Sequence, residues 1–297
     1  MKAKGSYGEL LDEGSHYLAE RGITESRLDA WYLFSHVFSM ERSQYFLQAN
    51  ETVPEEKRRQ KEEFGRLLRL RGERIPLQQL LRSQDFMGLS FFVNEHVLIP
   101  RQDTETLVEC VLEDEKQGKL RRREGQPLRI LDLCTGSGCI GISLAEYLCN
   151  VQVTLSDISG EALAVAEENI RRLGKEAVCR TVRSDLFENL EGGFDVIVSN
   201  PPYIKSAEIE TLEPEVRDHE PRLALDGSED GLLLYRRIGA RAPEYLAAGG
   251  RIYLEIGWDQ GAAVSEILTE NGFTDTEIIR DLPGLERVVT AGFRGRK

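Results

Sequence analysis

Apolar side chains recur at helical spacing over the first quarter of the chain, where strand patterns are nearly absent. Intervals of three and four residues between such side chains are typical of amphipathic helices. Thr24 precedes the second stretch, where its hydroxyl would cap a helix. The pattern is carried by Leu10, Leu11, Tyr17, Leu18, Leu28, Trp31, Phe34, Val37 and Phe38. With a further helix expected over 55–71, the sequence predicts a small helical domain at residues 1–75.

Pro76 ends the helical pattern, and residues 76–99 change character. Phe86 and the run 91–93 flank a turn at Gly88, and a second β-rich run follows at 96–98. These features predict a β-hairpin linker over 76–99. A helix is expected over 103–115, after Pro100.

From Leu128 onward, short apolar runs alternate with helical stretches, which is typical of βαβ units and a parallel sheet. Two final runs lie close together around Pro283 and Gly284, which favours a terminal antiparallel pair. The predicted strands are 128–133, 151–155, 178–182, 194–199, 251–256, 273–279 and 287–293. The pattern therefore predicts an α/β fold built on a mostly parallel seven-stranded sheet.

Charge and apolar runs narrow the classes of partner. The chain has 38 Lys and Arg against 51 Asp and Glu, a net charge of -13, which disfavours a long basic track for DNA or RNA but not a locally basic groove. No apolar run reaches about 18 residues, and residues 1–13 lack the apolar core of a signal peptide. We therefore expect a cytoplasmic protein that does not associate with membranes.

Cysteine and histidine patterns favour neither disulfides nor a metal site. The cysteines are odd in number, contain no CxxC pair, and are therefore expected to be buried thiols. The histidines are scattered without metal-ligand spacing. The residues concerned are Cys110, Cys134, Cys139, Cys149, Cys179, His16, His36, His96 and His219.

A glycine-rich turn directly follows the predicted strand 128–133. Glycines there permit a tight turn and let a ligand approach the backbone, while the next helix offers unpaired N–H donors. Asp157 lies 19 residues after Gly138, where a carboxylate accepts hydrogen bonds from ribose hydroxyls. A nucleotide-like ligand is indicated.

The identity of that ligand stays open at this stage. Gly136, Gly138 and Gly141 satisfy the G-x-G-x-x-G pattern of nicotinamide-binding domains, and a purely structural turn is a further alternative. Thr135, Ser137 and Asp132 favour S-adenosylmethionine instead.

A second motif, Asn200-Pro201-Pro202-Tyr203, follows the strand predicted at 194–199. Ligands of open parallel sheets bind beyond the carboxyl ends of the strands, so this tetrapeptide should face the same crevice as Gly136 and Asp157. Its prolines remove two N–H donors and leave carbonyl acceptors. It therefore suits an amide or amine nitrogen.

An amide nitrogen is a poor nucleophile because its lone pair is delocalised. The side-chain oxygen of Asn200 and the carbonyl of Pro201 could each accept one N–H, which would hold the nitrogen and stabilise the positive charge that develops on it. Tyr203 could stack on the planar group. We expect positioning to carry most of the catalysis, without a metal or a strong base.

Nearly the whole chain resembles the bacterial protein-(glutamine-N5) methyltransferases that modify class 1 peptide chain release factors, the HemK/PrmC family. The more specific stretches are Pro100-Arg101-Gln102-Asp103-Thr104-Glu105 and Glu220-Pro221-Arg222-Leu223-Ala224-Leu225-Asp226-Gly227, together with the tetrapeptide. Further matching stretches are 27–30, 97–99, 130–141, 157–159, 184–187 and 254–257.

The resemblance implies a Rossmann-like class I methyltransferase domain at residues 100–297, with an antiparallel last strand. It implies an S-adenosyl-L-methionine site formed by Cys134, Thr135, Gly136, Ser137, Gly138, Asp157, Ile158, Asp185, Leu186 and Asn200. The catalytic residues would be Asn200, Pro201, Pro202 and Tyr203. The substrate would be the glutamine of a Gly-Gly-Gln loop in a class 1 release factor, with no direct nucleic-acid substrate.

Two positions depart from the family pattern. Gln102 replaces a common proline and is expected to loosen the entry to the next helix, and Cys134 replaces a common glycine, which is tolerable if its φ is negative. The acidic segment 204–226 is either a solvated excursion or a lid for a macromolecular partner. The amino-terminal helices are expected to supply the remaining contact surface for that partner.

Two other functions compete with protein methylation. Adenine carries a planar exocyclic amine that the same tetrapeptide could serve after base flipping, which would make the protein an N6-adenine methyltransferase on DNA or RNA. The other alternative is a binding module without catalysis, against which the intact motif at 200–203 argues.

Overall fold

The computed structural model describes residues 4–295 and divides into two compact units. One unit comprises the chain up to Arg82 together with Glu213–His219, and the other comprises Ser83–Leu212 and the chain from Glu220 onward. The helices are α1 (Tyr7–Glu20), α2 (Ser26–Phe38), α3 (Arg42–Gln48), α4 (Arg58–Gly72), α5 (Leu77–Leu81), α6 (Glu105–Lys116), α7 (Cys139–Tyr147), α8 (Gly160–Arg172), α9 (Pro214–His219), α10 (Leu233–Tyr245) and α11 (Gly261–Glu270). The strands are β1 (Gln84–Phe86), β2 (Leu89–Phe91), β3 (Leu128–Leu133), β4 (Val151–Asp157), β5 (Cys179–Arg183), β6 (Phe194–Ser199), β7 (Leu246–Glu255), β8 (Thr274–Arg280) and β9 (Glu286–Phe293).

Aromatic packing forms the core of the helical unit. Phe34 on α2 is fully buried and meets Phe64 on α4 edge to face, with ring centroids 5.7 Å apart. The hydroxyl of Ser6 caps α1 by accepting the backbone N–H of Glu9 at 3.2 Å. The apolar residues that recur at helical spacing in the amino-terminal sequence therefore pack together as the core of this unit.

A buried ion cluster holds α9 within this unit. Arg71 on α4 donates through Nε to Asp29 at 2.7 Å and through Nη1 to Glu215 at 3.0 Å, and Arg74 donates to the same oxygen of Glu215 at 3.0 Å. Burial alone would raise the pKa of Glu215, but hydrogen bonds from Arg74 and Arg71 outweigh it and hold that pKa below its usual value. Charge compensation therefore fixes a short helix that lies far away in sequence.

The second unit contains a seven-stranded sheet in the order β5-β4-β3-β6-β7-β9-β8. Strands β3 to β7 pair in parallel, and β9 runs antiparallel between β7 and β8. The predicted mostly parallel sheet with an antiparallel last strand is confirmed.

Side chains of the central strands alternate between two apolar cores. Ile130 on β3 packs with α6, α7 and α8, whereas the next residue, Leu131, packs with α10 and α11. Val196 and Ile197 on β6 divide in the same way. Because successive strand side chains point to opposite faces, this alternation requires helices on both sides of the sheet.

The predicted linker and one predicted cap differ from the structure. Residues 96–98 form no strand. The apolar side chain of Val97 packs with Val93 against α8 instead. The hairpin is limited to β1 and β2, and the short helix α5 precedes it. Thr24 does not cap α2, whose N-cap is Glu25 without a side-chain hydrogen bond. The error at 96–98 arises because tertiary packing decides which structure a short apolar run adopts.

The expectation of buried thiols holds for Cys139 and Cys179 only. All five cysteines are free, Cys110 and Cys134 are half-buried, and the prediction is wrong for Cys149, which is exposed. Within residues 4–295, no helix is long and apolar enough to cross a membrane.

Removing the buried guanidinium should destabilise the helical unit. Arg71→Met leaves the buried carboxylate of Asp29 without its cation, and we expect a loss of about 3–5 kcal/mol in the free energy of unfolding. The matched control is Arg66→Met on the same helix, whose exposed pair with Glu63 is worth less than about 1 kcal/mol. Urea unfolding in a Trp258→Phe background, followed by the fluorescence of Trp31 on α2, measures both. Equal losses in the two variants would contradict the claim that the buried pairs of Arg71 stabilise the helical unit.

Candidate active site

A cavity of about 380 Å³ opens beyond the carboxyl ends of the central strands in the second unit. Its lining includes most of the residues that the sequence predicts for a cofactor and a substrate nitrogen. These are Cys134, Thr135, Gly136, Ser137, Asp157, Ile158, Asp185, Leu186, Asn200 and Pro202. Three predicted residues lie outside the lining, namely Gly138, Pro201 and Tyr203.

The two central glycines of the loop have different tasks. Gly136 has a φ of +53° and open space around the position of a Cβ, so its backbone can be approached by a ligand. Gly138 has a φ of +82°, and a Cβ there would lie 2.9 Å from side-chain atoms of Ile142 and Leu155. Gly138 thus allows α7 to pack on β4 and does not face the cavity.

Asp132 holds the loop from beneath. Its Oδ2 accepts the hydroxyl of Thr135 at 2.6 Å and the backbone N–H of Gly141 at 2.9 Å, while its buried Oδ1 has no partner among the described residues. Burial raises the pKa of Asp132 to about 7, against these two hydrogen bonds. The side chain is fully buried and therefore supports the loop without touching a ligand.

Asp157 ends β4 and faces the glycine loop. Its Oδ2 accepts the N–H of Gly136 and its Oδ1 accepts the N–H of Ser159, both at 2.9 Å. Burial raises the pKa of Asp157, and these backbone hydrogen bonds oppose the shift. Each carboxylate oxygen has a second lone pair, so Asp157 can also accept hydroxyls from a ligand.

Apolar surface lies beside this carboxylate. Ile158 lines the cavity with 44% of its surface exposed, and Leu186 lines it from the turn after β5. Asp185 in that turn accepts Nη2 of Arg237 at 2.9 Å. The cavity therefore combines apolar surface with peripheral carboxylates, which suits a planar heterocycle attached to a sugar.

The tetrapeptide lies at the opposite side of the glycine loop, after β6. Nδ2 of Asn200 donates to the hydroxyl oxygen of Thr104 at 3.4 Å. Tyr203 is half-buried, and its hydroxyl donates to Oε1 of Glu255 at 3.4 Å. The backbone carbonyl of Tyr203 accepts a hydrogen bond from Nε2 of Gln260 at 3.0 Å. Both ends of the motif are thus anchored by side chains from other elements.

Thr104 and Glu255, which contact the motif, and the pair of Arg101 with Glu220 at the cavity were not predicted as site residues from the sequence. Thr104 and Glu255 are buried, and Glu220 is buried against Arg101, whose Nη2 donates to both carboxylate oxygens at 2.7 Å. Burial raises the pKa of Glu220, and the charge of Arg101 opposes the shift. All four lie in stretches that matched the family pattern, which was the available signal.

Cys134 corrects an expectation. Its φ is +56°, not negative, so the turn after β3 places a non-glycine residue in the left-handed region at a cost of about 1–2 kcal/mol. Burial raises the pKa of its thiol far above neutrality, which makes the thiol unreactive. Gln102, the other departure, begins a single 3-10 turn, Gln102–Thr104, that leads directly into α6.

The segment 204–226 is closed at its base. The backbones of Ile204 and Asp226 form an isolated β-bridge, and the hydroxyl of Ser206 donates to the carboxylate of Asp226 at 2.6 Å. Pro221 and Leu223 line the cavity. No cluster of three His, Cys, Asp or Glu side chains suited to a metal ion occurs in the part of the chain that the structure describes.

The buried carboxyl of Asp132 should make stability depend on pH. Its pKa is raised from 3.8 to about 7 in the folded state, so the folded protein binds this proton more tightly than the unfolded chain. The stabilisation from this proton is therefore lost as the pH rises from about 4 to about 7. Over that range, the free energy of unfolding of Asp132→Asn should increase relative to the wild type by about 1 kcal/mol per pH unit, with no further increase above pH 7. Urea unfolding of both proteins from pH 4.5 to 8.5 measures this difference. A pH-independent difference would contradict it.

Two family models match separate parts of the chain. The model described as PrmC N-terminal domain matches residues 9–81, and the model described as Methyltransferase small domain matches residues 107–228. A methyltransferase of Pyrococcus furiosus has a similar fold, with a TM-score of 0.50 and 20% identity over 71% of this chain and 91% of that one.

Relatives extend over nearly the whole length. The release factor glutamine methyltransferase of Geobacter sulfurreducens is 40% identical, covering 95% of this chain and 94% of its own. The enzyme of that name from Clostridium botulinum is 38% identical, covering 95% and 98%. On the strength of this agreement, the chain belongs to the family of release factor glutamine methyltransferases.

Proposed function

We propose that the protein transfers a methyl group from S-adenosyl-L-methionine to the side-chain amide nitrogen, N5, of a glutamine in class 1 peptide chain release factors. The glutamine is that of the Gly-Gly-Gln motif. One observation carries the chemistry: Asn200, the first residue of the tetrapeptide, lines the same cavity as Gly136 and Asp157. A methyl donor and an amide acceptor can therefore meet there.

The cavity fits the cofactor on the chemistry of its lining. Asp157 would accept the ribose hydroxyls, and the open backbone at Gly136 would admit the amino-acid portion. Ile158 and Leu186 would supply apolar contacts to the adenine ring, and Asp185 would supply a hydrogen-bond acceptor. The remaining loop residues would shape the turn, Cys134, Thr135 and Ser137 at the cavity wall and Gly138 through its packing. When bound, S-adenosyl-L-methionine supplies an electrophilic methyl group on its sulfonium.

Acceptor groups of the tetrapeptide would activate the nitrogen. Oδ1 of Asn200 and the carbonyl of Pro201 would each accept one N–H of the substrate amide, which fixes the nitrogen and stabilises the positive charge on it until one of its two protons passes to solvent water. Pro202 keeps the turn rigid. Tyr203 is half-buried, and its ring would pack on the planar amide.

The partner is a protein. The segment 204–226 contributes Pro221 and Leu223 to the lining of the cavity. The amino-terminal helices offer a second surface. These surfaces would dock the release factor, which would place the enzyme in the cytoplasm with translation. A net charge of -13 supports a protein partner over nucleic acid, and no membrane partner is proposed.

Loss of the amide at position 200 should abolish transfer without unfolding the protein. With labelled S-adenosyl-L-methionine and a purified release factor, Asn200→Ala should lower the rate at least about 100-fold, because an acceptor of the developing charge is gone. The matched control, Asn271→Ala, removes an amide that donates to Ile267 on α11 and should keep the wild-type rate.

Substrate controls complete this experiment. A release factor with the glutamine changed to alanine should take up no label, and duplex and single-stranded nucleic acid run in parallel should stay unlabelled. Label on nucleic acid alone would favour the adenine reaction instead. Cofactor binding without any label would leave a binding module.

A further inference from the structure

The side chain of Gln260 turns away from the helix that it begins. Gln260 is the N-cap of α11, and its backbone carbonyl accepts the N–H of Val264 at 3.0 Å. A polar side chain at an N-cap commonly accepts a hydrogen bond from the first turn of its helix, but that of Gln260 makes no such bond. The residue is buried, and its amide contacts the turn after β7 and the end of the tetrapeptide instead.

Main-chain groups satisfy both ends of this amide. Oε1 accepts the N–H of Gly257 at 2.9 Å, and Nε2 donates to the carbonyl of Tyr203 at 3.0 Å. Nε2 also lies 3.4 Å from the carbonyl oxygen of Gly231, at the long end of the hydrogen-bond range. Because a backbone N–H only donates and a carbonyl only accepts, the orientation of the amide is fixed, with its oxygen toward Gly257 and its nitrogen toward Tyr203.

Two glycines lie against the backbone of Tyr203. A Cβ at Gly227 would be 2.7 Å from Cα of Tyr203. Gly231 has a φ of +74°, and a Cβ there would be 2.6 Å from Nε2 of Gln260 and would collide with the carbonyl oxygen of Tyr203. Residues without a side chain allow this close approach. The hydrogen bond from Gln260 to Tyr203 is therefore formed where three chain segments pack closely.

The tetrapeptide is thereby held at both ends. Ser199, directly before it, lies on β6 and pairs with Leu133 on β3. At its other end, Gln260 holds the carbonyl of Tyr203. The two prolines between these ends have a fixed φ and leave the backbone few alternative conformations. The position of the Tyr203 carbonyl therefore constrains the direction of the Pro201 carbonyl.

We propose that Gln260 is a positioning residue for methyl transfer, which through the carbonyl of Tyr203 fixes the tetrapeptide against the substrate amide. This inference rests on the proposed function, in which the carbonyl of Pro201 accepts an N–H of the glutamine and the ring of Tyr203 packs on the amide. Gln260 itself lies outside the lining of the cavity, so it acts on the acceptor nitrogen through the motif and not on the cofactor.

A purely architectural role makes different predictions. If the amide only anchored the start of α11, its loss would lower stability, and the folded protein would keep its wild-type kcat. Gln260→Met removes the donor and the acceptor at every pH. Gln260→Glu places a carboxylate oxygen opposite the carbonyl of Tyr203, whereas the neutral carboxyl can donate its O–H there as the amide does.

The surroundings of position 260 favour the neutral form of that introduced carboxyl. Burial opposite carbonyl oxygens disfavours the ionised form and raises the pKa of a carboxyl. Neighbouring acids act in the same direction: Asp259, which pairs with Lys205 at 3.7 Å, and Glu286 on β9, which lies against Gly261. Lowering the pH should therefore restore the contact in Gln260→Glu.

Turnover is the first test. At pH 8, Gln260→Met and Gln260→Glu should both lower kcat about 10- to 100-fold, because the motif is misplaced, and should leave the KM for S-adenosyl-L-methionine unchanged. As the pH is lowered to 6, the kcat of Gln260→Glu relative to the wild type should recover, whereas that of Gln260→Met should not.

The matched control is Gln117→Glu, which makes the same change at an exposed amide that donates to Glu113 and should keep the wild-type rate at each pH. Wild-type kcat in both variants at position 260, or a loss in Gln260→Glu that is the same at every pH, would overturn the proposal.

The second test does not depend on turnover. Tyr203-Ile204 is the only Tyr-Ile pair in the sequence, so protein labelled with ¹³C at its tyrosine carbonyls and ¹⁵N in isoleucine gives a single HNCO signal, that of the Tyr203 carbonyl. Loss of a hydrogen bond moves a carbonyl signal upfield. Gln260→Met should therefore shift this signal upfield at every pH, and in Gln260→Glu the signal should return toward its wild-type position as the pH falls.

A signal at the wild-type position in both variants would refute the role of Gln260. If the wild type methylates no release factor, the proposed function fails, and this NMR experiment still decides whether Gln260 holds the tetrapeptide.

Discussion

The in-register parallel pairing of β4, β3, β6 and β7 is the constraint on which the site depends. Leu133 pairs with Ser156 on one side and Ser199 on the other, and Ser199 pairs with Leu254. The next residue on each strand is therefore Cys134, Asp157, Asn200 or Glu255. A slip of one residue in any pairing would turn the side chains at that edge to the wrong face. Backbone hydrogen bonds thus bring the glycine loop, the carboxylate of Asp157 and the tetrapeptide to one edge of the sheet.

Buried carboxylates at this edge cost free energy that a well-packed apolar core would not lose. Asp132 and Glu255 each have one buried oxygen without a partner among the described residues, and burial raises the pKa of both to about 7. Positive φ at Cys134 adds local strain. Costs of this kind concentrate at functional sites because they fix geometry that the chemistry needs. Beneath the glycine loop and behind Asn200, the fold gives up stability for orientation.

Features that depend on local sequence patterns could be predicted from the sequence, whereas contacts between residues far apart in the chain could not. Alternation of apolar strands with helices predicted the sheet, because each strand carries its own periodicity and glycine turn. The run at 96–98 was wrongly predicted as a strand, because a short apolar run does not indicate which element Val97 packs against. The signal for the positive φ of Cys134 was the glycine that the family commonly has at this position, and it was misread because cysteine rarely adopts that region. Thr104 and Glu255 were visible only as matching family stretches, because the residues that they contact, Asn200 and Tyr203, lie 96 and 52 positions away along the chain.

The most direct test of the proposed reaction is to locate the methyl group. A purified release factor is incubated with the wild-type protein and S-adenosyl-L-methionine, then digested, and the peptide with Gly-Gly-Gln is fragmented by tandem mass spectrometry. We expect one methyl group on the side-chain nitrogen of that glutamine. A methyl group at any other residue, or an unmodified release factor in the presence of active enzyme and cofactor, would contradict it.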